Sequence, residues 1–424
     1  MNNTTFLEKL LDGAEVEWVA LGKVAEKISS GGTPKTGISE YYDGEIPWLR
    51  TQEVDFGEIW DTGVRITEEG VDNSSARWIP ANCVIIAMYG ATVGKIGINK
   101  IPMTTNQACA NIQLNEDTLN FRYLFHLLCS KYEYIKSLGS GPQTNINAGI
   151  VKKLQIPIPC PENPEKSLAI QAEIVRILDT FTELTAELTA ELTARTKQYN
   201  YYRDQLLTFE DGEACLSGRQ VEWKTLGEVL TDKFWIMPAT PKFDETEEVP
   251  YITSKNIRGG NIDFNKVKFI SRKDFQNLSR NRPILAGDFL ISMIGTIGEV
   301  ARVKEDDLDF YGQNMYLIRL NPNLILSGYF LHFFDSPKMK RHFNGVKNNS
   351  GQGYLKANNI ENIRVPIPPL AEQARIVAIL DKFDTLTHSI SEGLPREIEL
   401  RQKQYEYYRD LLLNFPKTQT KGVA

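Results

Sequence analysis

The stretch 168–185, LAIQAEIVRILDTFTELT, returns at 370–387 as LAEQARIVAILDKFDTLT, and 195–209, RTKQYNYYRDQLLTF, returns at 401–415 as RQKQYEYYRDLLLNF. The openings agree at 12 of 18 positions and the endings at 11 of 15, so every other feature must fit an internal repeat. Apolar residues recur along both copies at helical spacing: Ile174, Ile177, Leu178, Phe181, Leu184, Leu188 and Leu192, then Ile376, Ile379, Leu380, Phe383, Leu386 and Ile390. Helices of roughly 40 residues run about 60 Å, and a one-sided stripe of that length needs a partner. The economical arrangement is that the two stripes form the core of an antiparallel coiled coil with a pseudo-two-fold axis. A tandem TAEL unit lies mid-way in the first copy, whereas the second carries Gly393 and Pro395 there, which predicts a kink. The middle junction resembles the C-terminus joined to the N-terminus, so the chain reads as nearly circular.

The repeat extends outward from the helices. Val16-Glu17-Trp18 recurs as Val221-Glu222-Trp223, Pro47-Trp48-Leu49 as Pro250-Tyr251-Ile252, and Gln107 is matched with Gln313. Tyr123-Leu124-Phe125-His126 recurs as Tyr329-Phe330-Leu331-His332, and the IPIP of 156–159 as the VPIP of 365–368. Short β-branched runs bounded by Gly, Asn or Pro (VIIAM, ANIQL, FLISM, MYLIRL) predict strands. The expected fold is α+β, with two homologous domains of curved sheet, 1–160 and 211–368, and long helices at 161–210 and 369–424. The two domains differ most in the loops after their first strands, as expected if loops confer specificity on a shared scaffold.

Composition narrows the function. The 424 residues are 42% apolar and 24% charged, as in a soluble globular protein. No run is long and apolar enough for a bilayer span and no export signal is visible, which predicts a cytoplasmic protein. Five scattered cysteines without a C-x-x-C pair fit a reducing compartment and buried, inert thiols. The net charge of −6 argues against a polyanionic partner, yet eight Lys/Arg against two acids fall within 250–282. The run Gly90–Ile96 resembles a phosphate loop but is one residue short and has Ile96 where Ser/Thr would bind magnesium. His126, His332, His342 and His388 show no metal spacing, and His126 and His332 read as core or core-edge. No dinucleotide fingerprint and no aminomethyltransferase motif occur, so the chain reads as a binder without a metal or cofactor of its own.

The duplicated IVxILDxF and KQYxYYRDxLL helices, the preceding IPIP strands, and the GGTP and IPWL elements (31–34 and 46–49) resemble the specificity (S, HsdS) subunits of type I restriction–modification systems. The resemblance covers essentially the whole chain, and the TAEL tandem is similar to the IC group. It implies two target-recognition domains, each reading half of a bipartite, asymmetric double-stranded DNA site, with no catalysis of their own. The helices would set the spacer and dock two methyltransferase subunits, which restriction subunits then join. S-adenosylmethionine, ATP and magnesium would serve those partners.

Base edges are read by bidentate Arg, Asn and Gln, while Lys mostly meets phosphate. The candidates in the first domain are Lys35, Thr36, Arg50, Thr51, Gln52, Lys95, Asn106, Gln107, Gln143 and Asn145. Those in the second are Thr253, Ser254, Lys255, Asn256, Arg258, Lys266, Lys268, Gln313, Asn314, Lys347, Gln352 and Lys356. For each of them an ordinary exposed polar side chain is the competing reading. A coiled-coil scaffold whose end domains bind protein is the alternative for the whole chain. It explains the helices and the acidic balance, but less well the unlike loops on two homologous ends.

Overall fold

The computed structural model describes residues 6–139, 145–210, 221–346, 354–389 and 391–416. The candidates Gln143, Lys347, Gln352 and Ile390 lie outside them. The chain divides into two units, Met1–Glu187 with Ile398–Ala424, and Leu188–Glu397. Each division falls inside a helix, so each unit contains the start of one helical repeat and the end of the other. No helix among the described residues is long and apolar enough to cross a membrane.

In the first unit, Val16–Ala20 and Gln155–Pro159 form a two-stranded antiparallel ladder, where the prolines of IPIP remove no bond from a central strand. A second sheet runs in the order Ala25–Ser30, Cys109–Leu114, Val84–Ala87, Ile96–Asn99, Glu58–Ile59. A third runs Arg65–Ile66, Tyr42–Leu49, Met103–Thr105, Trp78–Ile79. The run VIIAM is apolar throughout because Val84–Ala87 is buried on both faces. Alternate residues go to opposite sides: Val84 and Ile86 meet Tyr123 and Leu127 of the helix Phe121–Ser130, while Ile85 and Ala87 meet Leu49 and Met103.

The second unit repeats this plan. Glu222–Thr225 pairs with Arg364–Ile367, and the main sheet runs Leu230–Ile236, Met315–Leu320, Phe289–Ser292, Val300–Arg302. Phe289 and Ile291 face Phe330 of the helix Ser327–Phe334, and Leu290 faces Ile252 and Met315.

The first long helix, Pro164–Leu207, is unbroken for 44 residues. Asn163 caps it by accepting the Lys166 N–H at 3.0 Å, and Pro164 begins it where no N–H is needed. The second helical copy is split into Leu370–His388 and Gly393–Leu413, as Gly393 and Pro395 predict. Gly393 has φ +73°, and a Cβ there would stand 2.4 Å from the Thr385 carbonyl oxygen.

Two repeated contacts tie helix to domain. Gln171 Oε1 accepts the Asn120 N–H at 2.9 Å, and Gln373 Oε1 accepts the Leu326 N–H at 2.8 Å, so a buried amide satisfies an orphan donor at the start of each domain helix. Tyr123 and Tyr329 donate to the carbonyls of Pro157 and Pro366 at 2.9 and 3.0 Å, holding those helices on the IPIP and VPIP strands.

The apolar stripes do more than meet each other, and here the expectation of a separate coiled-coil core is corrected. Ile174 and Leu178 are fully buried in the core of the first domain, with Ile177 and Phe181 packed against it; Tyr405, Leu412 and Leu413 from the other helical copy join the same core. In the second unit Ile376 and Leu380 do the same with Tyr199 and Leu207, and Phe383 packs against that core. Burial of each such aliphatic side chain stabilises by about 1.5–3 kcal/mol. Leu184, Leu188, Leu192, Ile379 and Leu386 are only half-buried. A helix-spaced stripe matches a sheet-and-helix surface as well as a helix seam, and the domains take the first turns of each stripe. Antiparallel pairing is visible in the second unit, where Phe383 stacks on Tyr202 and His388 meets Tyr199. The corresponding stack in the first is Phe181 on Tyr408.

Candidate nucleic-acid interface

In each unit the ends of the strands gather their following loops into one edge, and backbone hydrogen bonds fix that edge. In the first unit Asn106 donates its N–H to the Leu49 carbonyl at 2.9 Å, Met88 to Ala108 at 2.8 Å, and Ile146 to Met88 at 3.0 Å. Thr92 donates its hydroxyl to the Thr51 carbonyl at 2.8 Å. The second unit reproduces each bond: Gln313 to Ile252 at 3.1 Å, Met293 to Asn314 at 3.2 Å, Leu355 to Met293 at 3.0 Å, and Thr296 to Ser254 at 2.8 Å. The structural partner of Gln313 is therefore Asn106, not Gln107. The loop from Thr105 to Cys109 is one residue longer than that from Gly312 to Met315, which displaces the sequence match by one.

This edge unites Thr51, Asn106, Gln107 and Asn145 in the first unit, and Ser254, Gln313, Asn314 and the start of the 354–357 loop in the second. The glycines of GGTP bring Thr33 onto it: its hydroxyl donates to the Gln107 amide oxygen, and Trp48 Nε1 donates to the Gly32 carbonyl at 2.9 Å. Gln313 is held similarly, since burial pushes the Tyr251 phenol up to about 12 and the hydroxyl faces Gln313 Oε1 at 3.4 Å. Lys35, Thr36, Gln52, Lys255, Arg258, Lys266, Lys268 and Lys356 are exposed.

Several candidates are engaged within the fold. Arg50 pairs with Glu53 at 3.2 Å, and Lys95 pairs with Asp55 at 2.7 Å. Asn256 accepts the Thr253 N–H at 2.9 Å and donates to the Asp263 carbonyl at 2.9 Å, so both ends of its amide shape a turn. Ser254 is buried, and Lys268 lies 4.4 Å from the centre of the Phe243 ring. Within the basic run 250–282, Arg272 bonds Glu248 and Asp309, and Arg282 donates to the Trp235 carbonyl. Sequence reading missed Thr92 and Thr296, which brace the edge, and the exposed Tyr89 and Met237 beside it. The signal for Tyr89 was its place directly after the buried run 84–88, where an aromatic side chain leaves the core.

The model of the type I restriction modification DNA specificity domain matches residues 14–198 and again 219–400. The chain belongs to that family. It is 36% identical over 430 residues to the specificity subunit of the type I restriction enzyme EcoR124I/EcoR124II from Escherichia coli, covering 99% of both chains. It is 34% identical over 430 residues to the putative type I specificity subunit S.HindORF215P of Haemophilus influenzae, covering 98% of this chain and 99% of that one. Among solved structures, the S subunit of the M. genitalium type I restriction-modification system superposes with a TM-score of 0.55 at 17% identity, over 96% of this chain and 97% of that one. A chain from work on complex assembly and conformational transition of the type I R-M system gives 0.60 at 16% identity, over 94% and 97%. These two likenesses confirm the α+β fold of two domains with long helices.

Proposed function

We propose that this chain is the non-catalytic DNA-recognition subunit of a type I restriction–modification complex, each domain edge reading one half of a bipartite site. The observation that carries this reading is the duplicated edge: one hydrogen-bonded frame, built twice, presenting different side chains in each copy. Thr33, Lys35, Thr36, Gln52, Tyr89, Asn106, Gln107 and Asn145 face one half-site, and Lys255, Arg258, Lys266, Lys268, Gln313, Asn314 and Lys356 face the other. Gln and Asn suit adenine edges and Arg suits guanine, whereas the lysines hold phosphate. The two recognition domains are 1–160 and 211–368, the helices fix the spacer, and two methyltransferase subunits dock on them, followed by restriction subunits. S-adenosylmethionine, ATP and magnesium belong to those partners.

The test is a binding and methylation assay with the methyltransferase partner and S-adenosylmethionine on a library of random duplexes. Selective capture of two short motifs at a fixed separation is the expected result. Capture without sequence preference refutes the reading and favours the protein-binding scaffold.

A further inference from the structure

Two buried histidines stand at equivalent positions of the repeat, and each joins three elements. His126, on the helix Phe121–Ser130, sets Nε2 at 2.7 Å from Asp179 Oδ1 of the first long helix and Nδ1 at 3.0 Å from the hydroxyl of Tyr405 on Gly393–Leu413. His332, on Ser327–Phe334, sets Nε2 at 2.7 Å from Asp381 Oδ1 of Leu370–His388 and Nδ1 at 3.1 Å from the hydroxyl of Tyr199 on Pro164–Leu207. In both units one imidazole thus links the domain to the helix that follows it and to the end of the other helical copy. His126, Tyr405, His332 and Tyr199 are all buried.

The chemistry imposes a single register. An imidazole presents two polar atoms in fixed, divergent directions, and leaving a buried polar atom unpaired costs about 1–3 kcal/mol. Sliding or tilting the domain against its helices would orphan at least one partner. Apolar packing alone, which is non-directional, tolerates small rotations. The first contact is reinforced, since Arg122 bonds Asp179 at 2.5 and 2.9 Å and Glu58 at 2.5 Å. Gly328 occupies the corresponding place in the second unit, where a Cβ would lie 2.9 Å from Val377.

We propose that these two His–Asp–Tyr contacts are positioning clamps that hold each reading edge at a fixed angle to the helices. They govern which spacer length the protein accepts, and leave the half-site sequences to the loops. This rests on the bipartite-recognition reading above. His126 and His332 are positioning residues, since they act through the edges and touch no DNA.

The test uses the full chain with its methyltransferase partner. Duplexes carry the two native half-sites with spacers lengthened or shortened by one base pair, or the native spacer with one half-site scrambled. Tyr405→Phe and Tyr199→Phe each remove one hydroxyl and retain the ring, so packing survives. The expected result is a loss of about fivefold in discrimination against wrong spacers, the effect of one buried hydrogen bond, with half-site preference unchanged. The loss is greater for Tyr199→Phe, whose hydroxyl also accepts from Arg203 at 3.5 Å and whose unit lacks the Arg122 reinforcement. Unaltered spacer discrimination in both variants overturns the clamp role, as does a parallel loss of half-site preference. If the unsubstituted complex prefers no duplex at all, the recognition reading itself has failed and the clamp falls with it.

Discussion

A methyl group added at Gly31 should disable one reading edge and spare the other. The loop after Ala25–Ser30 threads between two backbones, and a Cβ on Gly31 would stand 1.8 Å from the Thr105 carbonyl oxygen. Thr105 cannot yield easily, because it pairs with Leu49 in the sheet and its hydroxyl accepts Asn111 Nδ2 at 2.7 Å. The loop must therefore retreat by about 1.5 Å to reach an ordinary contact. Retreat breaks the Gly32–Thr105 bond at 2.9 Å and the Trp48–Gly32 bond at 2.9 Å. Two lost hydrogen bonds and residual overpacking give Gly31→Ala a cost of about 2–4 kcal/mol. It also removes Thr33 from Gln107. In the second unit the equivalent strand runs through Ile236 and is followed by Met237, so that edge has no such glycine to lose. Urea unfolding reads the stability, and methylation of duplexes with either half-site scrambled reads the function. Discrimination at one half-site should fall at least about tenfold, on the scale of one or two lost base contacts, while the other is kept. A Gly31→Ala protein within about 0.5 kcal/mol of the parent, discriminating at both half-sites as before, would refute the threading argument.

Two further outcomes follow from the helices. Gly393→Ala puts a side chain at φ +73° and against the Thr385 carbonyl, so the second unit should lose about 2 kcal/mol or more in urea unfolding; an unchanged midpoint would mean that the helix joint is not constrained there. Burial lowers the pKa of His126 despite its hydrogen bond to Asp179, so the native ring is neutral, with Nε2–H donating to the carboxylate and Nδ1 accepting from Tyr405. Burial pushes Asp179 up, but the bonds from His126 and Arg122 outweigh it and hold that carboxyl below its ordinary range. Between the depressed folded pKa of His126 and its unfolded value near 6.5, the unfolded chain binds more protons, so stability falls as pH falls. The unfolding midpoint should drop from pH 7.5 to 5.5 less steeply in His126→Gln than in the parent, and equal slopes would sink the assignment.

The repeat made much of this architecture legible. The paired helices, two α+β domains and the break near Gly393 all follow from patterns local to a few turns or strands. What stayed hidden was allocation. Ile174 and Ile376 have the spacing of a coiled-coil seam, and periodicity records that a face is buried without recording what buries it. The same limit applies to the polar candidates. Arg50 and Asn256 have the side chains that read bases, but each is engaged by a neighbour three residues away. Residue type predicts what a group can bond, and only the fold shows whether that capacity has been used.

The clamps show the converse. His126 reads correctly from its apolar neighbours as a core residue, yet its partners lie 53 and 279 residues away. No window of sequence brings them together. Their connection becomes visible only when the repeat is taken literally: His126 and His332, Asp179 and Asp381, and Tyr405 and Tyr199 are equivalent pairs. In each unit the tyrosine comes from the other helical copy. A duplicated chain that exchanges its helix ends in this way makes each domain depend on the other's repeat for one bond of its own clamp. That dependence gives a physical reason for the two helical copies to resemble each other more closely than the loops do. A helix end must fit a partner domain elsewhere in the chain, whereas under the proposed function a loop answers only to its own half-site.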